Sequence, residues 1–85
     1  MDIEIIGLAA GFLTTVAFIP QVYQTWKSKS AKDLSLGMLL ILIGGLILWL
    51  IYGINLNALS IILTNSSVLV LASILVFFKF KYGDQ

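Results

Sequence analysis

The residues able to do chemistry in this chain are few. The acids Asp2, Glu4, Asp33 and Asp84 are scattered through the sequence, and there is neither His nor Cys. Imidazole acid–base work, thiolate nucleophiles, disulfides and the common zinc sites are thereby excluded, and no pair of carboxylates is spaced to converge as acid and base. The expectation is a protein that is not an enzyme, with no catalytic residue, no metal site and no cofactor. What remains is uncharged and embedded in apolar sequence: Trp49 and Asn65, Pro20 beside Gln21, and Tyr52, Asn55 and Asn57. An Asn inside an apolar segment is costly in lipid unless it meets a polar partner. An indole face and an amide with two donors and an acceptor together suit a polyhydroxylated ring, which has apolar C–H faces and polar edges. The bland reading of the same pair is packing, with Asn65 bonded to a neighbouring helix and Trp49 filling space.

The elements that must position these residues follow from the charges. Of 85 residues, 60% are hydrophobic and only 11% charged, with a mean hydropathy of +1.08; a soluble domain carries roughly 25% charge. So short a chain cannot hide that much apolar surface from water, and the lipid bilayer becomes its solvent. Between Glu4 and Lys27 lie 22 uncharged residues, enough at about 1.5 Å each to cross a hydrocarbon core of about 30 Å. The next uncharged run, Leu34 to Phe78, holds 45 residues and must fold back once. The turn is expected at Asn55-Leu56-Asn57, just after Gly53, because Gly and Asn tolerate left-handed backbone. The fold class is therefore an all-α membrane protein, a single unit over 1–85 with transmembrane helices at about 4–26, 35–54 and 58–79. A cleavable signal peptide fits poorly, since Asp2 and Glu4 stand where Lys or Arg would be and the apolar stretch is too long.

Lys27, Lys29 and Lys32 fall in the first loop and Lys79 and Lys81 after the third helix, so all five cations share one face. The positive-inside rule makes that face cytoplasmic and the N-terminus external. Tyr23, Trp26 and Tyr82 are expected as interfacial belt residues. Pro20 should kink the first helix by deleting a backbone bond to Val16, with Thr14, Thr15 and Gln21 at hand to satisfy the freed group. Three helices packed around one another would fill their own centre and leave no polar path. The spacings Gly7/Gly11 and Gly45/Trp49/Gly53 allow close helix contact, within one chain or between copies.

The segment Thr14-Thr15-Val16-Ala17-Phe18-Ile19-Pro20-Gln21, the loop Ser30-Ala31-Lys32-Asp33-Leu34-Ser35-Leu36-Gly37-Met38, the run Leu48-Trp49-Leu50-Ile51-Tyr52-Gly53 and the later Asn65 resemble a SemiSWEET. These are bacterial half-size relatives of the SWEET sugar transporters, within the PQ-loop group, and the resemblance covers nearly the whole chain. It implies a parallel homodimer about an axis along the membrane normal, in the bacterial inner membrane, with sugar held between the Trp and Asn of both copies. It also implies a hinge at Pro20 and Gln21 and an outer gate including Tyr52. Family members often close that gate with Arg and Asp a few residues after the Tyr. Here Leu56 and Ala58 occupy those places, so closure falls to Tyr52, Asn55 and Asn57, and Ser60 replaces the family's proline at the start of helix three. The implied function is passive, alternating-access movement of a mono- or disaccharide. A carrier of another small solute such as an amino acid would call for an intramembrane charge, which is absent. A small interaction subunit that transports nothing is the other reading. A net charge of +1 gives no footprint for nucleic acid.

Overall fold

The computed structural model describes residues 3–83, so Asp2 and Asp84 lie outside the described residues. It contains three helices, α1 (Ile3–Ser28), α2 (Leu36–Leu56) and α3 (Leu59–Tyr82), and no strand among the described residues. Each is long and apolar enough to cross a membrane. Each also ends two or three residues beyond its expected limit. At the start of α2, Ser35 is the N-cap and its Oγ accepts the Met38 N–H at 3.1 Å. At the end of α2, Asn57 adopts left-handed backbone (φ 54°), and the Asn57 and Ala58 N–H groups return to Ile54 and Gly53 carbonyls. Asn55 is not part of this turn. It stays in the helix, with Nδ2 donating to Ile51 O at 2.9 Å.

α3 begins without a side-chain cap of its own, since its N-cap residue is Ala58. The missing acceptor comes from α1: Glu4 Oε1 accepts the Ser60 N–H at 3.1 Å. A carboxylate there also faces the positive end of the α3 dipole.

α3 packs against both α1 and α2, whereas no Cα of α1 comes within 8 Å of one of α2. The chain is a slab of 46 × 22 × 13 Å. The expectation of three helices packed around a common centre is thus corrected: α3 is a central spine with a neighbour on each side. Glycines set both contacts. A Cβ on Gly7 would stand 2.6 Å from Ser60 Oγ, one on Gly11 would collide with the Thr64 side chain, and one on Gly53 would stand 2.6 Å from Ile61 Cγ2. The Gly7/Gly11 spacing is therefore used within the chain, while a Cβ on Gly45 would meet nothing within 4 Å.

These contacts fix the register. Gly7 faces Ser60 and Gly11 faces Thr64, a constant offset of 53 that makes α1 and α3 parallel. Gly53 against Ile61 and Leu46 clustered with Val68 keep a constant sum of 114, as antiparallel helices require. Near the lysine-bearing end, Ala31, Phe78 and Tyr82 form a second buried cluster. Lys79 Nζ donates to Ala31 O at 3.0 Å and ties the first loop to α3.

Substituting Gly11→Val should destabilise the chain by about 1–3 kcal/mol through overpacking against Thr64. Gly44→Ala, where an added Cβ meets nothing within 4 Å, should be neutral or stabilising by up to ~1 kcal/mol. Thermal unfolding of both variants in detergent separates close helix contact from a general sensitivity of the spans.

Candidate functional site

Two helices deliver the central residues to one level. Trp49 lies seven residues before the end of α2 and Asn65 six after the start of α3, so both are roughly 9–11 Å inside their helix ends. Their numbers sum to 114, the register of the Gly53/Ile61 and Leu46/Val68 contacts. Trp49 is 55% exposed. Its ring and that of Tyr52 form a T-shaped pair, with centroids 5.5 Å apart at 86°, and with Leu48 the two line an open bay of about 260 Å³. An edge-to-face pair holds each ring's orientation.

Asn65 is half-buried, and its Nδ2 donates to Ile61 O of its own helix at 2.8 Å. No bond to another helix satisfies it among the described residues. No hydrogen bond joins its Oδ1 or second N–H to another described residue. The structure thus brings Trp49 and Asn65 to a common depth without joining them.

The outer residues divide. Tyr52 stands one turn above Trp49, about 4.5 Å nearer the helix end. Asn55 has committed its amide to Ile51 O, and Asn57 supplies the left-handed cap.

Pro20 lies inside an unbroken α1. Its expected helpers act elsewhere: Thr14 Oγ1 bonds Ala10 O at 2.9 Å and Thr15 Oγ1 bonds Gly11 O at 2.8 Å. Neither serves the carbonyl of Val16, which proline deprives of its donor. By the offset of 53, Pro20 is level with position 73 of α3, about 12 Å from the Asn65 layer toward the lysine-bearing end. Gln21 lines two clefts there. One, of about 650 Å³, includes Pro20, Gln24, Thr25, Ser28 and Asp33; the other, of about 330 Å³, opens between α1 and α2 beside Phe18 and Met38.

Of the expected belt residues, Tyr23 and Trp26 are exposed. Tyr82 is not a belt residue: it is buried and stacked on Phe78 at 5.4 Å. Glu4 and Lys79 escaped the sequence reading because their partners are 56 and 48 positions away. Ser35 carried a visible signal, a Ser directly before an apolar run.

A three-span chain with a Pro-Gln pair late in its first helix and a Trp/Asn layer in the other two has the form of a PQ-loop membrane protein. Residues 3–62 match the family described as PQ loop repeat. The chain is 43% identical over 81 residues to the sugar transporter SemiSWEET of Bradyrhizobium diazoefficiens, covering 95% of this chain and 94% of that one. It is 40% identical over 82 residues to the SemiSWEET sugar transporter of Leptospira biflexa, covering 96% of each. The crystal structure of a bacterial homologue of SWEET transporters superposes with a TM-score of 0.92 at 40% identity, covering 96% of this chain and all of the other. The chain belongs to the PQ-loop family and, within it, to the SemiSWEETs.

Restoring an amide with Pro20→Ala should give the Val16 carbonyl a donor, worth about 1 kcal/mol. Amide exchange around residues 16–21 should then slow about fivefold, measured by hydrogen–deuterium exchange in detergent; unchanged exchange would mean that the helix is already closed at this point.

Proposed function

We propose that this chain is a passive sugar transporter, acting as a parallel two-fold homodimer that moves a mono- or disaccharide by alternating access across a bacterial inner membrane. The carrying observation is the Trp49/Asn65 layer: an exposed indole and an amide with unspent hydrogen-bonding capacity at one depth within apolar helices. Relatives that are named sugar transporters and match nearly the whole chain support the same reading.

One copy supplies one Trp and one amide beside an open bay, and a slab one helix thick encloses nothing. A second copy related by a two-fold axis along the membrane normal would double the layer and close a path between the slabs. The whole chain then works as one three-helix unit. In this scheme the Val16 carbonyl, which Pro20 deprives of its usual donor, lets α1 bend at Pro20 and Gln21. Tyr52, with Asn55 and Asn57 above it, forms the outer gate. Five lysines on one face support, by the positive-inside rule, a cytoplasmic C-terminus and an external N-terminus.

Among the described residues no carboxylate or His lies in the interior of a span, which argues for facilitation rather than coupling. Proton-driven carriers place a carboxylate or His within the membrane. Here Glu4 sits in the first turn of α1 and caps α3, and Asp33 lies in the first loop. An amino-acid substrate would also need an intramembrane counter-charge, which favours a neutral sugar.

The test is uptake by proteoliposomes of purified protein, with unlabelled sugars and amino acids as competitors. Trp49→Ala and Asn65→Ala should each weaken sugar binding at least about tenfold, since each loss falls twice on the same ligand. Crosslinking through a cysteine at Gly45 should still report dimers. Unchanged binding in either variant would return the pair to packing. In sugar-equilibrated vesicles, an imposed pH or sodium gradient should leave internal and external sugar equal; accumulation inside would refute facilitation.

A further inference from the structure

The first loop takes its position from α3. Residues 29–35 join α1 to α2, two helices whose backbones stay apart. Ala31 is the point of attachment: it is 1% exposed and packed with Phe78 and Tyr82 near the end of α3. Its carbonyl accepts two donors, the Leu34 N–H at 3.1 Å and Lys79 Nζ at 3.0 Å. The first bends the loop back on itself, and the second fastens it to α3.

Beyond this anchor the loop borders the inner clefts. Asp33 and Leu34 line both of the clefts that flank Gln21, of about 650 and 330 Å³. With the Lys79 bond made, both clefts are open. The segment of α1 that walls the larger one starts at Pro20, where the backbone ladder lacks a donor, and ends at Ser28, directly before the loop. Its eight residues beyond Pro20 run about 12 Å, so a bend of about 20° at the proline displaces their far end by roughly 4 Å. A hydrogen bond of 3.0 Å does not survive such a shift. Bending at Pro20 and the bond from Lys79 therefore exclude each other.

We propose that Lys79 is the latch of the inner end: its bond to Ala31 O holds the first loop on α3 with the clefts open, and it breaks when α1 bends at Pro20 to close them. Lys79 is a positioning residue, acting through the loop. An ammonium suits this task, because a charge-assisted bond in a half-buried place is strong when made. Its long stem also lets the released charge reach water at the membrane surface. The inference rests on the alternating-access reading and names the residue that biases its inner half.

The chain has no Cys, so a single introduced thiol reports its own surroundings. Gln24→Cys places one in the larger cleft and Leu56→Cys places one at the outer end. Maleimide labelling of the purified protein in detergent gives a rate for each. Lys79→Met, which keeps the stem and removes the donor, should slow labelling at position 24 and speed it at position 56. The ratio of the two rates should shift about tenfold, the factor that one hydrogen bond to a charged group carries. Lys79→Arg should retain the original ratio. Lys79→Gln, a shorter neutral donor, should shift it less in the same direction, and reads the latch even where Lys79→Met does not fold. A general loosening of the fold would speed labelling at both positions, and that result or an unchanged ratio would overturn the latch. Sugar uptake by the same chain in proteoliposomes separates this from the transport reading. Uptake with an unchanged ratio overturns the latch alone, whereas a shifted ratio without uptake supports the latch and overturns sugar as the substrate.

Discussion

Close contact between α3 and its two neighbours at glycine is the constraint on which everything else in this chain depends. In lipid there is little hydrophobic gain from pressing apolar helices together, so association rests on shape, dispersion and a few polar contacts. Gly7 and Gly11 let α1 lie against Ser60 and Thr64, and Gly53 lets α2 lie against Ile61. Because each contact admits only one axial alignment, the glycines set register as well as distance. Trp49 and Asn65 share a depth for that reason, although no bond joins them.

The same environment explains where the polar groups go. Backbone N–H and C=O groups in a bilayer must be satisfied by the protein itself, and the helix ends follow that rule. Ser35 caps α2, Asn57 turns its end, and Glu4 reaches across to cap α3. Lys79 closes the opposite end by bonding the loop carbonyl of Ala31. Against this background Pro20 stands out, since neither nearby threonine answers the carbonyl it leaves free.

The number of spans was legible because charge is excluded from hydrocarbon, and the gap from Leu34 to Phe78 can be crossed only by folding back. Helix order in space was not legible: apolar faces look alike in lipid, so nothing in the pattern marks α3 as the central helix. The left-handed turn falls at Asn57, inside the expected Asn55–Asn57 stretch and closed in part by the Gly53 carbonyl, whereas Asn55 bonds within the helix instead. Tyr82 has the composition of a belt residue and is buried by a loop whose path is fixed by a bond from Lys79. Trp49 and Asn65 were singled out because each is anomalous in lipid, a property local to the residue. Glu4 was missed because its value lies wholly in a partner far along the chain.

The central position of α3 bears on how the protein is made. α1 and α2 leave the ribosome first, and their backbones never touch each other in the finished fold. Until residues 59–82 follow, both must wait in lipid as separate helices, with Gly7, Gly11 and Gly53 facing nothing and Glu4 without its amide partner. No two-helix intermediate of native form exists between them. Biogenesis is therefore decided by the last helix to be synthesised, and a nascent chain stalled after α2 would be inserted, correctly spanning and yet unassembled.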